Sequence, residues 1–203
     1  MNSYSEAGED LIAYELLKKS CGTYVDVGAN IPDSSSNTYL FYQQGWRGVC
    51  IEPIAELYQA LCEQRSQDRH LNLAVSDHDG MAVFYECKEE HDLSTLSAQI
   101  AEGLRRSGYT VLPYEIPVRT LRSLAAEYEI EPPDLLSIDV EGHEKEVLSG
   151  MPFDLWHPKV IIVEATVPRT LIPSESSWEP ILLRHGYKLQ TMVYVNRIYV
   201  SIG

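Results

Sequence analysis

Residues 23–30 read TYVDVGAN, a short apolar run that ends in glycine followed by a small and a polar residue. A run of this kind at residues 23–28 predicts a buried strand whose carboxyl end turns into a loop. Glycine at such a turn lets the backbone approach a ligand closely. The GxGxxG pattern of dinucleotide-binding folds is absent, and Asp26 suits an ammonium or hydroxyl group better than a pyrophosphate. An ordinary strand-to-loop turn would explain the same residues.

The next apolar run, residues 47–52, ends at Glu52. In doubly wound sheets an acidic residue at this position accepts hydrogen bonds from the ribose hydroxyls of a bound nucleoside. Glu52 follows Gly28 by 24 positions, close to the spacing of about 20 residues typical of that role. The alternative is a solvated glutamate that precedes the helix-starting Pro53. Together, Gly28 and Glu52 favour a cofactor that carries a nucleoside.

Strands and helices alternate along the rest of the chain, which predicts an α/β domain with a mostly parallel sheet and helices on both faces. Further strands are predicted at residues 71–75, 81–85, 135–139 and 160–164, and helices at 4–19, 36–44, 54–64, 96–106, 120–128, 144–149 and 178–185. Residues 187–193 and 197–202 predict a terminal hairpin around Asn196. Residues 86–117 are less regular, and we interpret them as an insertion or cover segment within a single domain of residues 1–203.

Two polar groups of residues follow predicted strands. Asp139, Glu141 and His143 come directly after the run at residues 135–139, which brings three titratable side chains to the mouth of the expected cleft. One of them could remove a proton from a hydroxyl acceptor. The same residues could instead form the start of a helix, where acidic side chains favour the helix dipole. Ser76 and Asp77 follow residues 71–75 and could contact an adenine edge or form a plain turn.

Composition narrows the class of protein. The chain has 30 acidic and 16 basic residues and a net charge of −14, which repels phosphate backbones and argues against nucleic acid as a substrate. The four cysteines show no metal-binding spacing and suit a reducing compartment, and the polar N-terminus does not fit a signal peptide. No apolar stretch approaches the ~18 residues that span a bilayer. We therefore expect a cytoplasmic protein without a membrane span.

The chain resembles the FkbM family of methyltransferases over about residues 3–164. The segments that carry the resemblance are SYSEAGEDLIAYELL, YVDVGANIPDSSSNTYLFYQQGWRGVCIEP, LNLAVSDHDG, STLSAQIAEGLRRSGY, PVRTLRSL, PDLLSIDVEGHEKEVLSGM and PKVIIVE. The SNTY-to-GWRG block and the SIDVEG block are the most specific. The resemblance implies a class I Rossmann-like fold with seven strands and a C-terminal antiparallel hairpin. It also implies S-adenosylmethionine as cofactor and O-methylation of a sugar or other small-molecule or glycan hydroxyl.

The resemblance also implies roles for single residues. The expected cofactor-binding residues are Asp26, Gly28, Asn30, Glu52, Ser76, Asp77 and Glu9, with Glu6 beside Glu9 at the closing edge. The expected catalytic residues are Asp139, His143 and Glu141, with Asp139 beside the transferred methyl group. This chain has Asn30-Ile31-Pro32 where many relatives carry a histidine pair or His-Pro, so a histidine-based role in that loop does not carry over.

Several alternatives remain open from the sequence. Glu52 would also fit a nicotinamide-dependent reductase, although the missing GxGxxG and the terminal hairpin do not. A binding domain that has lost catalysis is the other rival. Asp139 and Glu164 could act as hard oxygen ligands for a divalent cation, but carboxylates at strand ends are also common in metal-free sites, and the sequence predicts no metal. The acceptor and the oligomeric state are not readable.

Overall fold

The computed structural model describes residues 1–202 and contains ten strands in two sheets. The strands are β1 (Thr23–Val27), β2 (Arg47–Ile51), β3 (Arg69–Leu71), β4 (Ala74–Val75), β5 (Gly80–Cys87), β6 (Val111–Arg119), β7 (Leu135–Ile138), β8 (Val160–Glu164), β9 (Tyr187–Val193) and β10 (Asn196–Ser201). The main sheet has the order β3-β2-β1-β7-β8-β10-β9. Its first five strands are parallel, and β10 is antiparallel to β8 and to β9. The predicted seven-stranded sheet with a terminal hairpin is confirmed.

In the described part of the chain, seven helices accompany the strands: α1 (Glu9–Leu17), α2 (Tyr39–Gln43), α3 (Ala55–Gln64), α4 (Ala98–Arg106), α5 (Leu121–Glu127), α6 (Glu144–Ser149) and α7 (Glu179–Arg184). Single 3₁₀ turns lie at His91–Leu93 and Glu175–Ser177. No helix within residues 1–202 is long and apolar enough to cross a bilayer.

The helices cover both faces of the main sheet. On one face, α5, α6 and α7 pack against alternate residues of the central strands, among them Val25 and Val27 of β1. On the other face, α1, α2 and α3 pack against the residues in between, including Tyr24 and Cys50. The two-residue period of a strand requires this division. The same two-residue period directs the side chain of Asp26 to the face of Tyr24. Asp26 therefore points toward α1, α2 and α3 and not toward the end of the strand.

The predicted strand at residues 71–75 is two strands in two different sheets. Arg69–Leu71 pairs with β2 at the edge of the main sheet, and Ala74–Val75 pairs with β6 in a second sheet of order β4-β6-β5. The side-chain amide of Asn72 donates to the carbonyl oxygens of Glu52 and Pro53, at 2.9 Å each. The side chain of Asn72 therefore takes the place of the backbone hydrogen bonds that would have continued the pairing of β3 with β2. Beyond it the chain crosses to the second sheet.

The segment at residues 86–117 is more regular than its sequence indicates. It contains the end of β5, the first 3₁₀ turn, α4 and most of β6, which pairs antiparallel with β5 along eight residues. Pro113 and Pro117 argue against a strand because proline cannot donate to a ladder. However, β4 pairs only with Val118 and Arg119, so the other edge of β6 has no partner strand at the two prolines, a position where proline is tolerated.

Candidate active site

A cavity of about 810 Å³ opens at the edge of the main sheet where β1, β2, β7 and β8 end. Its floor includes apolar residues from β2, β4 and the connection between β3 and β4, and its far wall is formed by the strap 89–96 of the 86–117 segment. Many of its polar lining groups are acidic. Pockets for small ligands are commonly about 300–1,000 Å³, so the cavity is large enough for a cofactor together with part of a small acceptor.

Gly28 brings the first strand end close to its neighbour. Its φ of +80° lies in the left-handed region, and a Cβ added there would lie 1.8 Å from the carbonyl oxygen of Asp139. The N–H groups of Gly28 and Ala29 both donate to the carbonyl oxygen of Ile51, at 3.0 and 3.1 Å. Glycine is therefore required for this loop to join the ends of β1, β2 and β7 around the cavity.

Glu52 lies in the cavity wall directly after β2 and is 3% exposed. One carboxylate oxygen accepts the N–H of Asn30 at 2.9 Å, and the other accepts the N–H of Ile54 at 2.8 Å. Burial, together with the nearby Asp26 and Glu86, raises the pKa of Glu52 to about 7, although these two hydrogen bonds oppose the shift. Each oxygen retains a free lone pair, so Glu52 can accept two hydroxyl groups of a bound ligand.

Asp26, which the sequence analysis expects to contact the cofactor, does not line the cavity. Its carboxylate accepts a hydrogen bond from Thr38 Oγ1 and lies 4.0 Å from Arg65 Nη1 on the α1–α3 face. Arg65 is fully buried and also donates to Ser36 Oγ and to the carbonyl oxygen of Pro32. Burial raises the pKa of Asp26, and Arg65 and Thr38 oppose the shift. This network supports the loop after β1 from beneath.

Three further expected cofactor ligands also lie outside the cavity lining. Ser76 is buried, and its Oγ lies 3.0 Å from His143 Nε2. Asp77 is exposed and pairs with its neighbour His78 at 2.8 Å. Glu9 is fully buried, and its Oε1 accepts the side-chain amide of Asn196 at 3.0 Å. Ser76 and Glu9 thus hold residues that do line the cavity, whereas the side chain of Asp77 faces solvent.

Two of the three expected catalytic residues, Asp139 and Glu141, lie together. Asp139 follows β7, Glu141 lies two residues later with a left-handed φ of +52°, and both line the cavity. Carboxylate oxygens of Asp139, Glu141 and Glu164 all lie within 4.8 Å of one another. Burial, together with neighbouring acidic groups of which Glu144 is the first, raises the pKa of Asp139 to about 8. The pKa values of Glu141 and Glu164 are raised by burial and by Asp139.

His143, the third expected catalytic residue, also lines the cavity. Its Nε2 faces Ser76, and its Nδ1 lies 3.6 Å from Glu146 Oε2. Burial lowers the pKa of His143, and Glu146 and Asp77 oppose the shift. A neutral imidazole held between a hydroxyl and a carboxylate can accept a proton.

The cavity wall on the side of the strap is connected to the sheet by three contacts. Thr95 Oγ1 donates to the carbonyl oxygen of Glu141 at 2.8 Å. Arg169, in the loop after β8, pairs with Glu90 of the strap at 2.8 Å. The guanidinium of Arg169 also lies over the ring of Tyr109, 4.9 Å from its centroid. These contacts join the loop after β8 and the 86–117 segment across the cavity.

Sequence reasoning did not identify several residues that line the cavity. The main ones are His91, Asp92, Thr166, Arg169 and Asn196. The sequence analysis places Asn196 only in a hairpin. The feature that could have identified it as a cavity residue is its polar side chain at the first position of an apolar strand. The others lie in the single 3₁₀ turn His91–Leu93 or in the loop after β8, where no periodicity indicates which way a side chain faces.

The comparisons with known proteins agree with this geometry. The model of the family described as "Methyltransferase FkbM domain" matches residues 26–189. No curated protein sequence matches the chain at a significant level.

Solved structures with a similar fold include several methyltransferases. An O-methyltransferase from Bacillus cereus in complex with S-adenosylhomocysteine has a TM-score of 0.53 and 11% identity, covering 98% of this chain and 82% of that chain. A TehB-like methyltransferase from Corynebacterium glutamicum has a TM-score of 0.52 and 8% identity, and the match covers 98% of this chain and 89% of that chain. A magnesium protoporphyrin IX methyltransferase from Synechocystis with bound S-adenosylmethionine has a TM-score of 0.51 and 13% identity, and the match covers 95% of this chain and 77% of that chain. At these identities the likeness concerns the fold. The family model covers most of the chain, and this protein therefore belongs to the FkbM family of methyltransferases.

Proposed function

We propose that this chain is an S-adenosylmethionine-dependent O-methyltransferase that acts on a hydroxyl of a sugar or another small acceptor. The observation that carries the proposal is the position of Glu52 and of Asp139 in the wall of one cavity. Glu52 provides free acceptor sites for a nucleoside at the end of β2, and Asp139 provides a carboxylate at the end of β7. The proposal treats residues 1–203 as one functional domain in which 86–117 covers the cavity.

The charge of the cavity supports a cationic cofactor. Glu6, Asp92, Glu141 and Glu164 line it together with Glu52 and Asp139. S-adenosylmethionine carries positive charge on its sulfonium and its ammonium group, whereas the pyrophosphate of a dinucleotide would be repelled by this wall. The charge therefore favours methyl transfer over the nicotinamide-dependent alternative.

Glu52, Asn30 and Gly28 form the proposed cofactor side of the cavity. The Glu52 carboxylate would accept the ribose hydroxyls, and the apolar side chains of Ile54, Leu73 and Val75 would pack on the base. Asp26, Ser76 and Glu9 are proposed to support these contacts without touching the cofactor. The free lone pairs of Glu52 fit the ribose of a nucleoside, and the apolar floor fits its base.

Asp139, Glu141 and His143 form the proposed reaction side. Bound S-adenosylmethionine would supply a methyl group that is already activated as a sulfonium. The chain's own contribution is to hold the acceptor hydroxyl in line, exclude bulk water and accept the hydroxyl proton. Asp139 and His143 are the candidate proton acceptors. The strap 89–96, held to the loop after β7 by Thr95, would keep water from the reacting atoms.

The proposal is tested by two measurements on the full chain. Calorimetric titration should show binding of S-adenosylhomocysteine and no binding of NADH. Transfer of isotopically labelled methyl from S-adenosylmethionine should occur to at least one member of a panel of sugars, glycans and small alcohols. Tight cofactor binding without transfer to any hydroxyl acceptor would support the inactive alternative, and binding of NADH in place of S-adenosylhomocysteine would reject the proposal.

A further inference from the structure

Four oxygen-bearing side chains converge at the reaction side of the cavity. Asp139 follows β7, Glu141 lies in the next turn, and Glu164 is the last residue of β8. Asn196 is the first residue of β10 and is paired directly with Glu164 across the antiparallel ladder. Because the carboxyl ends of β7 and β8 meet the start of β10 at one edge of the sheet, all four residues line the same cavity.

Three oxygens of this group are buried and have no hydrogen-bond partner within residues 1–202: Glu141 Oε2, Glu164 Oε2 and Asn196 Oδ1. Glu164 and Asn196 are only 5% and 4% exposed. The amide nitrogen of Asn196 donates to Glu9, whereas its oxygen is left without a donor. A buried acceptor without a donor costs about 1–3 kcal/mol, so this group of acceptors indicates a missing cation.

The chain supplies no cation of its own here. None of the ion pairs within the described part of the chain involves Asp139, Glu141 or Glu164. Arg169, the basic residue in the cavity lining, is paired with Glu90. Within residues 1–202, the side-chain hydrogen bond donated to these carboxylates comes from Thr166 Oγ1, which lies 3.3 Å from Glu164 Oε1.

We propose that Asp139, Glu141, Glu164 and Asn196 bind a hard divalent cation such as Ca²⁺, Mg²⁺ or Mn²⁺. Carboxylate and amide oxygens are the ligands that these ions prefer. Ca²⁺–oxygen distances of about 2.3–2.6 Å place two opposite ligands about 4.6–5.2 Å apart. The observed spread of carboxylate oxygens, within 4.8 Å, accommodates Ca²⁺ without movement. The shorter Mg²⁺ distances of about 2.0–2.1 Å need a contraction of roughly half an ångström.

The backbone supports this arrangement. Glu141 has a left-handed φ of +52°, a conformation that costs a non-glycine residue roughly 1–2 kcal/mol. It is held there by the hydrogen bond from Thr95 Oγ1 to its carbonyl oxygen. In addition, Glu9 orients Asn196 through the amide nitrogen. Neighbouring residues thus fix the directions of two of the four ligands, as supporting residues do around bound metals.

The role of the cation rests on the proposed function, whereas its binding does not. Four protein oxygens leave at least two positions of a six-coordinate ion for the acceptor. Two adjacent hydroxyls of a sugar could occupy them, and coordination lowers the pKa of a hydroxyl that is about to lose its proton. With Asp139 bound to the cation, His143 would be the group that accepts this proton. Acceptors with vicinal hydroxyls are therefore the proposed substrate class.

The test is binding of Mn²⁺ to the full chain after removal of metals by chelator and desalting, without cofactor or acceptor. Loss of the electron paramagnetic resonance signal of free Mn²⁺ should show one saturable site below about 1 mM, with Ca²⁺ and Mg²⁺ as competitors. Glu164→Gln and Glu141→Gln should each weaken Mn²⁺ binding at least about tenfold, and Asn196→Ala should weaken it several-fold. Asp92→Asn is the matched control, because it removes a charge from the same cavity outside the group.

Absence of a saturable site would overturn the proposal, and so would an equal loss of affinity in Asp92→Asn, which would show diffuse attraction. Thermal unfolding of each variant establishes that it is folded. Binding of S-adenosylhomocysteine is measured on the same samples, so the two proposals fail separately. If the chain binds Mn²⁺ but transfers no methyl group, the cation site stands and the proposed function is rejected. If methyl transfer is unaffected by chelator and Mn²⁺ does not bind, the proposed function stands and the cation site is rejected.

Discussion

The backbone N–H of Asn30 donates a 2.9 Å hydrogen bond to the carboxylate of Glu52. This contact joins the loop after β1 to the end of β2 and leaves the second lone pair of that oxygen directed at the cavity. Because the other oxygen is held by the N–H of Ile54 in the same way, the carboxylate cannot rotate freely. A nucleoside would thus meet a carboxylate that is already oriented, which reduces the entropy cost of binding.

Glu52→Gln is expected to weaken binding of S-adenosylhomocysteine by roughly 10- to 100-fold, because hydrogen bonds to a charged group contribute about 1.5–3 kcal/mol. The new amide also places an N–H group against the N–H of Asn30 or Ile54. Calorimetric titration measures the effect. Glu56→Gln, on the exposed surface of α3, is the control and should bind as the wild type does. Equal affinity of Glu52→Gln and wild type would remove Glu52 from the cofactor site.

The pH dependence of cofactor binding follows from the same residue. Burial raises the pKa of Glu52 to about 7 in the ligand-free protein, so the side chain is mostly protonated at pH 6 and mostly ionised at pH 8. The ionised form accepts hydroxyl donors better. The dissociation constant of S-adenosylhomocysteine should therefore be larger at pH 6 than at pH 8, by up to about tenfold. Glu52→Gln should lose this part of the pH profile. A wild-type affinity that rises as pH falls would contradict the assignment.

Part of this site was predictable from sequence and part was not. Gly28 and Glu52 follow apolar runs, and strand ends of a parallel sheet share one edge, so their convergence follows from topology. Asp26 was expected to contact the cofactor, although it lies within the predicted strand at residues 23–28. In that strand, two-residue alternation buries its side chain beside Arg65. The position of Asn196 opposite Glu164 depends on the order of strands, which local patterns do not contain.

Asp26→Asn tests whether that buried carboxylate supports the fold or contacts the cofactor. The change keeps an acceptor for Thr38 but removes the charge that faces Arg65 at 4.0 Å. We expect the free energy of unfolding to fall by about 1–3 kcal/mol, measured by chemical denaturation. Affinity for S-adenosylhomocysteine should change less than about threefold. A large loss of cofactor affinity with unchanged stability would restore Asp26 as a direct ligand.

Gly28→Ala should disrupt the loop at the end of β1. The new Cβ would lie 1.8 Å from the carbonyl oxygen of Asp139, so the backbone must move as well as adopt an unfavourable φ. A loss of roughly 2–5 kcal/mol in stability is expected. Gly45→Ala is the matched control because its φ is +87° and nothing lies within 4 Å of the added Cβ. It should cost only about 1–2 kcal/mol. Equal effects in the two variants would refute the close approach of β1 and β7.

Arg169→Ala tests whether the contact between the loop after β8 and the strap retains the cofactor. The Arg169–Glu90 pair is 2.8 Å long, and both side chains are 45% exposed, so its removal should cost under about 1 kcal/mol of stability. Its effect is expected on opening of the cavity instead. Dissociation of S-adenosylhomocysteine, followed by stopped-flow displacement, should become several-fold faster in the variant.

Salt provides an independent measure of the same contact. Because exposed ion pairs are screened within about 8 Å at physiological ionic strength, added salt should accelerate dissociation from the wild type and have little effect on Arg169→Ala. Arg106→Ala is the matched control, since it removes an exposed arginine from an ion pair with Glu102 on α4. It should leave both the rate and its salt dependence unchanged. If Arg106→Ala accelerates dissociation as much as Arg169→Ala does, overall charge and not this contact governs release of the cofactor.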